Sequence, residues 1–436
     1  MLSILNVAFP SLRDDFPGVS QSALSWVLNL YTIVAAASLV VCGVLVDRTG
    51  RRRMLLVGTA GFAVGSLICA FAPSVPVLLA GRVVQALTSA LVTPASMALI
   101  LQAFPAAYRA TATTGWSAVG SVAAAAGPTI GGVLVDWGGW QWAFYITLPG
   151  SVIGLTMSYL IVEESKDEEP RPIPDLFGAV LIVVSVGLAV GGLVQSRTWG
   201  WDDGRVWGII ATGLVFGAVL VRRSLRHPNP ILDVSLFSHR SFALANLTAF
   251  VFGVGFFSTF FGYVLFLTDI WGQETRTAGL LMTPLALCGA LLAPLASRVM
   301  RRRGAGFLLI PGGLLVASGA GLLLVAAGSE PELLRIWLPA LLLIGIGSGL
   351  VWPSIFVGVV RDVPDGRYAV ATGINQTIQR TATALGVALA VTLLGTTVAA
   401  SGVGNFDRLF ALNVLCGLAT AAVAPFIGLS LEGRRA

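Results

Sequence analysis

Two arginines and one acidic turn are the places where this sequence could do chemistry. Arg82 and Arg380 lie inside long apolar runs, where an ionised side chain is costly unless it faces a wet cavity or a partner. Arg82 follows Val75, the start of its run, by roughly 10 Å of helix rise. It reads either as a functional cation or as a structural one. Arg380 could equally snorkel or pair with the nearby Asn375, Gln376 and Gln379. The turn is Gly43-x-Leu45-x-Asp47-Arg48-x-Gly50-Arg51-Arg52. Gly43 would let a neighbouring helix approach closely. Asp47 can accept charge-assisted hydrogen bonds from an arginine or a facing helix N-terminus, and the arginines can anchor at lipid headgroups. Such a segment serves as a latch or merely sets topology. In Gly127-Pro128-Thr129-Ile130-Gly131-Gly132 the proline removes a backbone hydrogen bond and bends a helix, while Gly131 and Gly132 permit tight packing. That combination suits two rocking halves, and it also occurs in inert membrane helices. Trp26, Tyr31 and Trp116, with Asn375, Gln379 and Arg380, could line an apolar cavity for lipophilic cations or neutral molecules.

Other chemistries find no support. Cys42, Cys69, Cys288 and Cys416 all lie in apolar runs without metal or disulfide spacing, and His227 and His239 share one polar loop. The formal charge of +6 rests on arginines and Lys166 in short loops between apolar runs, which argues for orientation in a membrane and against a nucleic-acid partner. Trp137, Trp140, Trp142, Trp199, Trp201, Trp207 and Trp271 cluster at run ends and read as interfacial anchors. All 21 acids fall in loops or at run ends.

The elements that must position these residues are membrane helices. Of 436 residues, 56% are hydrophobic and 11% charged, with a mean hydropathy of +0.86, which excludes a water-soluble fold. Thirteen apolar runs are long enough to cross the hydrocarbon core: 22–46, 54–72, 75–101, 112–135, 140–162, 176–195, 205–222, 241–268, 277–297, 305–328, 333–360, 368–398 and 407–430. Met1 to Pro10 reads as the second half of a further first span. The runs lack strand alternation, so the fold class is an all-α polytopic membrane protein. Loops after even-numbered spans, with the C-terminus, carry 19 Lys and Arg against 6 in the other loops, which puts the first set in the cytoplasm. Polar connections then divide the chain into a six-helix bundle (1–162), a linker (163–175), two inserted helices (176–222), a second linker (223–240) and a second six-helix bundle (241–436). An internal repeat agrees. Arg48, Arg51, Arg52 and Arg53 match Arg298, Arg301, Arg302 and Arg303, and Arg109, Thr114 and Gly115 match Arg367, Thr372 and Gly373, each eight helices apart.

The turn from Gly43 to Arg52 resembles the helix 2–3 loop signature of the major facilitator superfamily. Arg82 and Gln85, in LAGRVVQAL, resemble the superfamily's helix 4 motif, with Ala86 in place of a glycine. The segment from Gly127 to Gly132 resembles the antiporter motif of its exporters. Trp140 to Pro149 and His227 to Phe242 are similar to segments of the fourteen-span drug/proton antiporters, the EmrB/QacA type, with Thr147 where Asn is usual. The resemblance covers nearly the whole chain. It implies the major facilitator fold with two inserted helices and no enzymatic activity. It also implies alternating access and proton coupling through Arg82, Gln85 and, in helix 1, Asn6. Aligning Ser3 to Pro10 with the family places Met1 where helix 1 carries an Asp, so an upstream extension of ten to twenty residues holding that carboxylate is expected.

The resulting expectation is a bacterial inner-membrane exporter of small lipophilic or cationic molecules, such as amphipathic drugs. It would use the proton gradient and no cofactor or metal, contact membrane lipid, work as a monomer, and have both termini in the cytoplasm when complete. A dedicated exporter of one secondary metabolite or lipid is the near alternative. A membrane-embedded enzyme or sensor is the distant one, and it lacks the intramembrane His, Cys or acid constellation it would need.

Overall fold

The computed structural model describes residues 2–19, 21–165, 175–228, 230, 232–273, 275–304, 306–363, 367–394 and 403–427. Within the first half lie α1 (Leu2–Asp15), α2 (Gln21–Thr49), α3 (Arg51–Ala70), α4 (Val75–Ala103), α5 (Ala106–Gly138) and α6 (Trp142–Ile161). Two helices follow, α7 (Leu176–Trp199) and α8 (Gly204–Ser224). The second half holds α9 (Arg240–Ile270), α10 (Thr275–Arg303), α11 (Gly306–Ala326), α12 (Leu333–Val360), α13 (Tyr368–Leu394) and α14 (Gly404–Val423). Within α6 the regular helix is interrupted at Ile146, and π turns end α9 and begin α12. Among the described residues, eleven of these helices are long and apolar enough to cross a membrane. The chain is thus an all-α polytopic membrane protein, because in lipid only a helix satisfies every backbone group of an unpaired segment.

Residues at the helix ends explain where the spans stop. Gly50 adopts φ +113° between α2 and α3, a conformation that disfavours any side chain. Asp175 accepts from Gly178 N–H at the start of α7, and Asp203 accepts from Arg205 N–H at the start of α8. The first helix runs past Pro10 to Asp15, beyond the limit set by hydropathy, since Arg13, Asp14 and Asp15 continue its turns with exposed side chains. Two tryptophans also depart from the interfacial reading. Trp140, 2% exposed, donates to Asp15 Oδ2 at 2.7 Å, and Trp271, 5% exposed, donates to the Gly328 carbonyl at 2.9 Å. A buried indole needs such an acceptor, and helix ends supply it. Trp137 and Trp207 remain exposed.

The chain divides into two units. One comprises Met1–Ala103, Gly127–Ser235 and Val363–Arg380, and the other Phe104–Ala126, Leu236–Asp362 and Thr381–Ala436. In the first, α4 packs on α2 and α3, α3 packs on α6, and α7 packs on α8 and α2. In the second, α12 packs on α10 and α11, and α11 packs on α14. The pairs α2–α4, α3–α4 and α3–α6 therefore have counterparts eight helices later.

Close approaches fix the register of that correspondence. A Cβ on Gly65 of α3 would meet Gln85 N at 2.9 Å and Gly81 O at 3.2 Å, while one on Gly319 of α11 would meet Ala340 O and Ile344 Cγ1 at 2.7 Å. One turn or two away, Gly58 faces Thr88 O at 3.0 Å and Gly312 faces Gly347 O at 3.0 Å. The offset is constant along each helix, so Arg82, Gln85 and Ser66 correspond to Leu341, Ile344 and Ala320. All six residues are buried.

Candidate functional site

Arg82 is wholly buried in α4, and α2 and its own helix supply its direct partners. Its Nε donates to the Val27 carbonyl of α2 at 2.8 Å, and its Nη1 donates to Gln85 Oε1, one turn on, at 2.8 Å. The guanidinium lies over the Tyr31 ring at 4.2 Å, a geometry that attracts a cation to the ring face. Tyr31 in turn donates to Ser89 Oγ at 3.1 Å. Among the described residues Arg82 Nη2 has no hydrogen-bond partner.

The Gln85 amide is oriented by what holds its other end. Its Nε2 donates to Ser66 Oγ of α3 at 2.7 Å, which turns Oε1 toward the cation. Ser66 donates to the Phe62 carbonyl at 2.8 Å. Thr147 Oγ1 of α6 stands 3.0 Å from Ser66 Oγ and 2.7 Å from the Phe144 carbonyl. A polar chain thus runs Arg82–Gln85–Ser66–Thr147 through three helices. Sequence reasoning found its first two members and missed Ser66 and Thr147 as network residues, because a lone hydroxyl in an apolar run ordinarily bonds its own helix backbone.

The turn at Asp47 is the second constellation. Asp47, 2% exposed, accepts from Arg51 Nε and Nη2 at 3.1 and 3.0 Å on one carboxylate oxygen. The other oxygen accepts from Val370 N–H at 3.1 Å. Val370 lies in the first turn of α13, where N–H groups lack intrahelical acceptors and the helix dipole favours an anion. Further along the turn, Arg52 Nη2 donates to the Tyr159 carbonyl of α6 at 2.7 Å. Glu164, which the sequence did not single out, accepts from the N–H groups of Arg52 and Arg53 at 3.1 and 3.0 Å and so caps α3. A Cβ on Gly50 would meet the Glu164 carboxylate at 2.8 Å and displace that cap, while the positive φ is what favours glycine there. Gly43 is buried and Arg48 half-buried.

The remaining candidates are dispersed. Thr377 Oγ1 donates to the Ala36 carbonyl of α2 at 3.2 Å, and Gly373 lies against Leu39, so the start of α13 packs along α2. Asn375 is buried and accepts from Gln379 Nε2 at 2.6 Å, while Arg380 is half-buried and its Nε lacks a partner among the described residues. Trp26 is half-buried in α2. Trp116 belongs to the other unit, where it packs edge-on against Phe356 at 5.5 Å. Gly127 is buried, and Gly131 is pressed against Ile4 of α1, where a Cβ would lie 2.9 Å from Cγ2. The side chains of Asn6, Pro128 and Gly132 lie outside the described residues. One feature was missed altogether. Phe252, Phe256 and Phe257 of α9 gather around Trp352 of α12, and Phe260 stacks on Phe256, with ring centroids 5.2 to 6.1 Å apart, and all but Phe252 retain exposure. Five aromatics at mixed spacings are visible in the sequence, but only packing joins the two helices. No group of His, Cys, Asp and Glu that could hold a metal occurs among the described residues.

Among the described residues, helices long and apolar enough to cross a membrane repeat their packing, and Arg82 is buried in the first copy where Leu341 stands in the second. The Major Facilitator Superfamily model matches residues 1–387, and the chain belongs to that superfamily of transporters, which are not enzymes. It is 33% identical over 398 residues to the multidrug resistance protein Stp of Mycobacterium tuberculosis, covering 91% of this chain and 72% of that protein. To the tetracenomycin C resistance and export protein of Streptomyces glaucescens it is 29% identical, covering 91% and 73%. The crystal structure of the human organic anion transporter MFSD10 (TETRAN) superposes with a TM-score of 0.64 at 16% identity, covering 96% of this chain and 97% of that one, a likeness of fold.

Proposed function

We propose that this protein exports amphipathic drugs or related small molecules across the bacterial plasma membrane in exchange for protons, by alternating access. The observation that carries the reading is Arg82: a guanidinium buried away from water, with two of its nitrogens engaged and Nη2 left for a partner. Such a group is expensive to keep in a membrane and is kept where it does work. Arg82 is the fixed cation of coupling, and Gln85 holds its fork in place for an acidic group that gains and loses the proton. The aromatic group around Trp352 supplies the kind of surface that accepts varied lipophilic molecules and cations. The relatives named as resistance and export proteins support the direction of transport.

The finer assignments belong to the same proposal. Among the described residues, fourteen helices with α7 and α8 between two sets of six favour the fourteen-span drug/proton antiporter type. The arginine-rich turn at Asp47 faces the cytoplasm by its charge, and there Asp47 latches α2 to the start of α13. The proton gradient is the energy source, with no cofactor. A second reading, export of a single secondary metabolite, rests on the relative whose name gives tetracenomycin C.

Purified protein in liposomes tests the proposal. A lipophilic cationic dye should accumulate only when a pH gradient of the right sign is imposed, and an uncoupler should abolish it. Accumulation indifferent to the gradient and the uncoupler would overturn proton exchange.

A further inference from the structure

The helices α7 and α8 carry no part of the polar chain or of the Asp47 turn, yet their surface is shaped. Along their middle they are tightly joined. A Cβ on Gly213 would meet Ala189 N and Ser185 O at 2.9 Å, and Ser185 Oγ donates to the Gly213 carbonyl at 2.8 Å. Toward the end of α8 their outer surface leaves an open groove of about 780 Å³, floored by Ile182, Val186, Gly217 and Ala218. It runs from Leu214 to the end of α8 at Ser224 and on to Arg226, roughly 15 Å of helical rise, the depth of one leaflet in a hydrocarbon core of about 30 Å.

Charge is placed at one end only. Arg222, in the last turn of α8, and Arg226, in the turn that follows it, both line the mouth and both are exposed. The arginine between them is already committed. Arg223 donates from Nε and Nη2 to Asp175 at 2.5 and 2.9 Å, anchoring α8 to the cap of α7. The groove is therefore apolar along its length, open to the side, one leaflet deep, and lined at its surface end by two exposed guanidinium groups that have no ion-pair partner among the described residues.

We propose that this groove seats an anionic phospholipid, its phosphate held between Arg222 and Arg226 and an acyl chain lying along Leu214, Gly217, Ala218 and Val221. Charge complementarity selects the headgroup, since guanidinium forks bind phosphate in two-pronged fashion. The lateral opening selects a lipid over a water-borne ligand, because the groove's apolar floor belongs to membrane-spanning helices. Occupancy would brace α7, where a Cβ on Gly187 or Gly191 would lie 3.8 Å from Ala37 or Ile33 of α2, the helix that bears Tyr31 and Asp47. The lipid thereby acts on the transport machinery through packing.

The test uses the full chain in detergent, titrated with dioleoyl phosphatidylglycerol or dioleoyl phosphatidylcholine and read by native mass spectrometry and thermal stability. Phosphatidylglycerol should bind roughly tenfold or more tighter than phosphatidylcholine. The Arg222→Gln/Arg226→Gln double variant should erase that preference while leaving residual binding of both lipids. Ala218→Leu, at an exposed position that fills the floor, should weaken both lipids alike. A preference that survives the double variant would overturn the proposal. So would disulfide-linked dimers formed efficiently through Leu214→Cys, which would assign the groove to a second copy of the chain.

Discussion

The α3–α4 pair and the α11–α12 pair are the same packing solution with different contents. In both, a glycine of the first helix sits against the backbone of the second, at Gly65 and at Gly319, and a second glycine repeats the contact at Gly58 and Gly312. Inside that frame the first pair holds Arg82, Gln85 and Ser66, whereas the second holds Leu341, Ile344 and Ala320. The frame therefore does not need the polar chain to form. Its apolar version packs equally tightly, so the charge in the first copy is there for something other than holding helices together.

That contrast can be broken by making one copy like the other. The largest effect should come from Gln85→Ile, which leaves the buried guanidinium without its oriented acceptor and should cost about 3 to 5 kcal/mol of stability. Adding Arg82→Leu should restore it to within about 1 kcal/mol of wild type, because a well-packed apolar pair replaces the charge. A thermal double-mutant cycle measures both. If the double variant is no more stable than Gln85→Ile alone, the two frames are not equivalent.

The next effect sharpens the equivalence itself. Gly65→Ala and Gly319→Ala each push a methyl group into backbone atoms 2.7 to 2.9 Å away and should each destabilise by about 1 to 3 kcal/mol. Similar losses at the two sites support a shared frame, whereas a loss at only one would separate them.

Ser66→Ala should be milder, about 1 kcal/mol for one hydrogen bond. It should slow transport more than it lowers stability, since Gln85 loses the contact that sets its amide. Thermal melting and dye transport on the same preparation separate the two effects.

The smallest effect concerns the clamp between α7 and α8. The hydrogen bond from Arg223 holds the Asp175 carboxyl below the usual carboxylate range. A depressed value means the stabilisation is present above the ordinary carboxylate pKa, about 3.9, and is lost as pH falls through the folded value. Hydrogen exchange at the start of α7 should be flat from neutral pH to about 5 and rise only in stronger acid. Asp175→Asn should show the loosened state at neutral pH, with no acid step.

What the sequence made legible follows the range of each interaction. The helices were readable because apolar runs set their length locally, and Asp47 with an arginine was readable because the acid and the arginines stand within one short turn of sequence. That Arg82 needs partners followed from its place in an apolar run. Ser66, Thr147 and the Trp352 aromatic group were not readable, since each acquires meaning only when another helix is laid beside it. Trp140 and Trp271 misled for the same reason: a tryptophan at a helix end looks the same in sequence whether it meets lipid or a neighbouring acceptor. Hydropathy also ended α1 too early, because Arg13 to Asp15 are helical without being apolar.

The most direct test of the account is pH-gradient-driven dye transport by the Arg82→Leu/Gln85→Ile variant in liposomes, with folding confirmed on the same sample. The account predicts a protein about as stable as wild type whose gradient-driven transport has fallen at least ~100-fold, equivalent to about 2.7 kcal/mol. Transport within a few-fold of wild type in that folded variant would contradict it.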